Sequence, residues 1–70
     1  MLVSVCVVAY NEEKIIGNLL NDIKNQDYPH DKIEILLIDS MSSDKTKQIM
    51  NEFKKKEVEF KNIQVLLIIQ

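Results

Sequence analysis

The sequence predicts an α/β fold: a three-stranded parallel sheet in the order β-α-β-α-β, with both helices on one face. Three observations predict it. Short runs of β-branched and aliphatic residues, without helical period, recur three times. Two stretches whose apolar residues repeat at helical spacing separate them. The first two strand-like runs each end in polar residues that lead into the next helix. Such alternation produces parallel strands joined by right-handed crossovers, and two crossovers moving the same way across a sheet set both helices on the same side.

The first strand is Val3–Ala9, a run that reads as buried on both faces, with Cys6 as a small core residue. Asn11 follows as an N-cap, and Glu12 and Glu13 occupy the first helical turn, where carboxylates suit the helix dipole. Ile15, Ile16, Leu19, Leu20 and Ile23 then recur on one helix face, interrupted only by Gly17. The helix fades near Gln26, because Tyr28 precedes Pro29 and is pushed out of the helical region. His30, in the turn after Pro29, reads as a solvated loop residue. The second strand is Ile33–Ile38, and the polar turn Ser40–Asp44 can cap the helix after it. That second helix runs from about Lys45 to Lys56, buries Ile49, Met50 and Phe53, and ends in Lys54, Lys55 and Lys56, the favourable charge for a helix C-terminus. Glu57 to Lys61 is a connection, and Ile63–Ile69 is the third strand.

Length and composition narrow the function classes. At 70 residues the chain is one domain at most, and it reads as a single partial domain, 1–70. With 46% hydrophobic and 29% charged residues, one Gly and one Pro, it is neither a linker nor a disordered tail. A net charge of −2 offers nucleic acid or an anionic membrane no attraction. A lone cysteine and the absence of Cys/His ligand spacing exclude an internal disulfide and a zinc site, and suit a reduced, cytoplasmic setting. No apolar run reaches the roughly 18 residues that a membrane span needs. In a parallel sheet ligands bind at the carboxyl ends of the strands. Two polar segments meet there, Ala9-Tyr10-Asn11-Glu12 and Asp39 to Asp44. Physical chemistry alone thus points to a small polar or anionic ligand at this edge.

The same segments resemble the start of the family 2 glycosyltransferases of GT-A fold. The residues that carry the resemblance are Val3-Ser4-Val5 leading to Ala9-Tyr10-Asn11-Glu12-Glu13, then Asn25-Gln26-Asp27-Tyr28-Pro29, then Ile38-Asp39 with Ser42, Asp44 and Thr46. The resemblance implies a Rossmann-like half of a GT-A domain, strand order 3-2-1, and a nucleotide-sugar donor, UDP-type favoured, lying across the strand ends. It implies that Ala9, Tyr10 and Glu12 line the nucleoside pocket and that Asp39 accepts the N3–H of a uracil-type base. An ionised carboxylate, being acceptor-only, matches an imide N–H. Asp44 and Ser42 fall where the family shapes and caps the second helix. The bland alternatives stay open: Asp39 as a helix cap or loop anchor, Tyr10 as simple packing, Glu12 and Glu13 as first-turn acids.

The chain departs from the family at Ser40-Met41, which stand where an acid and a Gly are commonest. The family's metal-binding Asp-x-Asp is expected some tens of residues beyond Asp39, with the catalytic base later still. Intact relatives are accordingly expected to use Mg²⁺ or Mn²⁺ in hexosyl transfer and to include membrane-associated proteins. This chain is expected to bind no metal, supply no catalytic residue and be inactive alone. Residues 67–70 read as a non-native tail: one legal encoding of Leu67–Gln70, shifted by two bases, reads Asp-Asn-Pro, the turn that family members often carry here. A truncated sheet with one uncovered face would self-associate. A non-catalytic binding or dimerisation module is the main rival. A receiver-type phosphoacceptor domain is disfavoured, since it needs an Asp at the end of the third strand, where this chain reads Ile-Ile-Gln.

Overall fold

A computed structural model describes residues 1–69. Strand β1 spans Val3–Ala9, helix α1 Ile16–Lys24, strand β2 Ile33–Asp39, helix α2 Thr46–Lys56 and strand β3 Asn62–Leu67. A single 3-10 turn at His30–Lys32 leads into β2. The sheet is parallel throughout, with β2 in the middle. Its register sets Val3 opposite Ile33, and brings Ala9 and Leu67 to either side of Asp39. The third strand is shorter than the sequence suggests, although the Ile68 amide still donates to the Asp39 carbonyl at 2.9 Å. Of the expected tail at 67–70, Gln70 lies outside the described residues.

Side-chain alternation along each strand sorts the residues into two faces. One face carries Val7 and Ala9, then Ile33, Ile35 and Leu37, then Ile63, all buried. Ile16, Leu20 and Ile23 of α1 and Met50 of α2 close over it, so both helices cover the same side as expected. The opposite face carries Cys6 and Val8, Leu36 and Ile38, Gln64 and Leu66 in register. None of its residues is buried. It is graded along its length: Ser4 donates to a Glu34 carboxylate oxygen at 2.5 Å at the amino end, while Val8, Ile38 and Leu66 make the carboxyl end apolar. The strands are therefore not apolar on both faces throughout. Cys6 is not a core residue either; it is free and exposed on this face.

Helix α1 begins later than the local signals suggest. Asn11 has φ 50°, a left-handed conformation that cannot serve as an N-cap leading directly into a helix. The Glu12 carbonyl instead accepts the amides of Ile15 and Ile16, at 3.0 and 2.8 Å, and the helix proper starts at Ile16. Ile15 and Leu19 flank the buried stripe and remain exposed. The connection between α2 and β3 is more ordered than a loop. Phe60 is buried in the core, its ring stacks on His30 with centroids 4.4 Å apart, and Phe53 packs at 6.0 Å. His30 is thus half-buried against an aromatic ring rather than solvated. Lys24 meets Glu57 at 2.9 Å; the hydrogen bond and the charge of Glu57 raise the Lys24 pKa.

Candidate functional site

The carboxyl ends of β1 and β2 form one rim because the register sets Ala9 beside Asp39. Ala9 is buried, and its carbonyl accepts the Ser40 amide at 2.9 Å, which holds the two strand ends together. Asp39 is only 1% exposed. Both of its carboxylate oxygens accept the Ser42 amide, at 3.3 Å each. A carboxylate has about four acceptor sites, so this long, shared contact leaves capacity for another donor. Tyr10 follows Ala9 and is 58% exposed, while Glu12 is half-buried. The structure therefore brings Ala9 and Asp39 together directly and sets Tyr10 and Glu12 on the adjoining loop.

That loop is bonded to the one after β2, a feature that local sequence signals miss. The Asn11 amide donates to Ser42 Oγ at 2.9 Å, and Asn11 Oδ1 accepts the Ser43 amide at 2.8 Å. The Glu12 amide donates to Oγ1 of the fully buried Thr46 at 2.8 Å. Thr46 Oγ1 in turn donates to Asp44 Oδ1 at 2.5 Å, and Asp44 Oδ2 accepts the Glu13 amide at 3.2 Å. Glu12 and Glu13 are thus held through their amides by the other loop, outside the first helical turn. Asp44 also accepts the Thr46 amide at 3.0 Å, which caps the entry to α2. Burial by itself would raise the Asp44 pKa; the Thr46 hydroxyl, the Thr46 amide and the Glu13 amide together outweigh it and hold the carboxyl below its ordinary value.

Met41 has φ 59°, a conformation that disfavours a residue with a side chain. The resemblance implies Gly at this position, and a left-handed φ is a conformation that favours Gly. The signals that could have exposed this loop-to-loop bonding were an Asn tolerant of left-handed φ and an Asp two residues before a Thr amide.

Among the described residues no three His, Cys, Asp or Glu side chains gather to hold an ion. The Asp44 carboxylate already accepts from three donors. A shallow concavity of about 620 Å³ follows Lys47, Asn51 and Lys55 on α2, and a groove of about 190 Å³ separates α1 from α2. Neither is lined by Ala9, Tyr10, Glu12 or Asp39.

Fold and rim together define an open-sheet α/β unit whose first two strands end side by side in polar loops, the edge at which sheets of this kind take ligands. The sequence matches Glycosyl transferase family 2 over residues 4–68, and the chain belongs to that family. It is 41% identical over 63 residues to a dolichyl N-acetyl-α-D-glucosaminyl phosphate 3-β-D-2,3-diacetamido-2,3-dideoxy-β-D-glucuronosyltransferase of Methanococcus voltae, a match covering 90% of this chain and 19% of the relative. It is 41% identical over 56 residues to the poly(ribitol-phosphate) β-N-acetylglucosaminyltransferase TarS of Staphylococcus aureus, covering 80% and 10% of the two chains. Among solved structures it resembles the mannosyltransferase PcManGT of Pyrobaculum calidifontis, in complex with GDP-Man and Mn²⁺. That match has a TM-score of 0.85 and 32% identity, and covers 93% of this chain and 19% of the other. The chain thus spans a fifth or less of the length of these three relatives.

Proposed function

We propose that this chain is the donor-nucleoside part of a sugar transferase. Ala9, Tyr10 and Glu12 line one side of the nucleoside site, and Asp39 accepts the imide N–H of the base. The observation that carries this is Asp39, buried at the strand end with its two oxygens sharing one distant amide. A buried carboxylate with spare acceptor capacity is costly unless a further donor meets it. A base N–H is such a donor. The relatives' names support the donor side over the acceptor side: they share this segment while one is named for a dolichyl-linked sugar and another for poly(ribitol phosphate).

The bound form proposed is a nucleoside diphosphate-sugar, with uracil favoured because one imide N–H matches one carboxylate oxygen. The structural neighbour holds GDP-Man, so guanine is the competitor to test. A whole protein containing this segment would carry out hexosyl transfer with a divalent ion neutralising the departing diphosphate. These 70 residues would bind but not catalyse. A cytoplasmic setting belongs to the same proposal and rests on the unpaired Cys6; no helix among the described residues is long and apolar enough to cross a membrane. Self-association through the uncovered sheet face is also part of it, supported by the exposure of Val8 and Leu66.

Calorimetric titration with UDP and with GDP tests the site. UDP is expected to bind more tightly, and Asp39→Asn to weaken binding roughly tenfold or more, the value of a charge-assisted hydrogen bond. Unchanged binding by Asp39→Asn would remove Asp39 from the site.

A further inference from the structure

We infer that Asn11 is a positioning residue for the nucleoside site, acting through Ser42 and Ser43 to set the Asp39 carboxylate and the Tyr10 loop relative to each other. The inference rests on the proposed nucleoside site and adds a residue that does not itself touch the ligand. A continuous path carries it: the Asn11 amide donates to Ser42 Oγ, and the Ser42 amide donates to the Asp39 carboxylate. On the other side of the same residue, Asn11 Oδ1 accepts the Ser43 amide at 2.8 Å. Asn11 therefore grips two successive residues of the loop that begins at Asp39, while its own chain neighbour is Tyr10.

The contacts join segments more than 30 positions apart, unlike a local helix cap. Asn11 is exposed, where a neutral hydrogen bond adds little net stability. Its main effect is accordingly geometric: it fixes the distance between the rim loops before a ligand arrives. Backbone strain marks the same place. The non-glycine residues at left-handed φ among those described are Asn11 and Met41, one in each rim loop. Strained backbone of this kind persists where surrounding bonds over-determine it, and concentrates at ligand sites.

The test uses the 70-residue chain, with UDP and GDP as the probes. Asn11→Gly keeps the left-handed backbone free of strain and removes only the side-chain acceptor; Asn11→Asp retains an acceptor oxygen. Asn11→Gly is expected to weaken binding of the nucleotide that the parent chain prefers by roughly three- to tenfold. Far-UV circular dichroism and the thermal midpoint should stay close to those of the parent. Asn11→Asp should return affinity to within about twofold of the parent. Ser42→Ala, which deletes the Oγ acceptor without changing backbone freedom, carries the same expectation as Asn11→Gly should that variant fail to fold. Parental affinity in both Asn11→Gly and Ser42→Ala, or an Asn11→Asp as weak as Asn11→Gly, overturns the inference. Binding lost in Asp39→Asn but untouched in both Asn11→Gly and Ser42→Ala overturns this inference alone. A parent chain that binds neither nucleotide overturns the nucleoside site and this inference together.

Discussion

Asp44 is where the two rim loops converge, and its ionisation sets how that convergence depends on pH. Its carboxylate accepts the Thr46 hydroxyl, the Thr46 amide and the Glu13 amide, and its pKa lies below the ordinary 3.8. A carboxyl whose folded pKa is depressed binds its proton more readily in the unfolded chain. Its contribution is therefore complete above the unfolded value and is lost as pH falls through the folded one. Stability to urea should be level in this respect from about pH 7 to pH 5 and should fall below about pH 4. Asp44→Asn should lower the urea midpoint at neutral pH and flatten the acid fall; an acid profile parallel to the parent's would show that Asp44 adds nothing to it.

At the scale of elements, α1 is the one whose local signals and final form differ most. Its first-turn acids are taken up by the opposite loop, and its N-terminal end has neither an acidic first turn nor a side-chain cap. Gly17 adds to this weakness, since it loses more backbone freedom on folding than Ala would. A Cβ built at position 17 would meet nothing within 4 Å, and its φ is not positive. Gly17→Ala should therefore stabilise the chain by about 0.5–1 kcal/mol. That corresponds to a thermal midpoint higher by roughly 2–8 °C in a domain of this size. A lowered midpoint would mean that the position needs glycine for a reason other than space. The connection from α2 to β3 departs in the opposite direction. Phe60, with His30 stacked upon it, turns a polar-looking stretch into part of the core.

For the molecule as a whole, the decisive feature is the number of layers. Its extents are 34 × 21 × 16 Å, and the shortest fits one sheet and one helical layer. The uncovered face carries Val8, 62% exposed, and Leu66, 43% exposed, at its apolar end, beside half-buried Leu36 and Ile38. Apolar surface of this kind favours association when no other layer covers it. Sedimentation velocity over a range of concentrations should show growing mass, and Val8→Lys with Leu66→Lys should suppress it. A monomer at every concentration with a sharp two-state thermal transition would count against self-association through this face.

Much of this protein comes from local pattern. Aliphatic runs without helical period set the strands, helical spacing set α2 and the buried stripe of α1, and α1 ends at Lys24, within two residues of the end expected near Gln26. The alternation of these elements dictated a parallel sheet, the side on which both helices lie, and the rim where Ala9 and Asp39 meet. Each of these depends on neighbours within a few residues or on chain connectivity, so a linear sequence carries them. The tertiary structure alone decided the rest. An apolar strand residue looks the same whether or not a second layer covers it, so Cys6 read as core yet stands exposed. Asn11, Glu12 and Glu13 have the chemistry of a helix start. Their partners Ser42, Ser43, Asp44 and Thr46 lie more than 30 positions away and come within reach only because the register aligns the strand ends. Hydrogen bonds between loops depend on that three-dimensional alignment, and no local period encodes it.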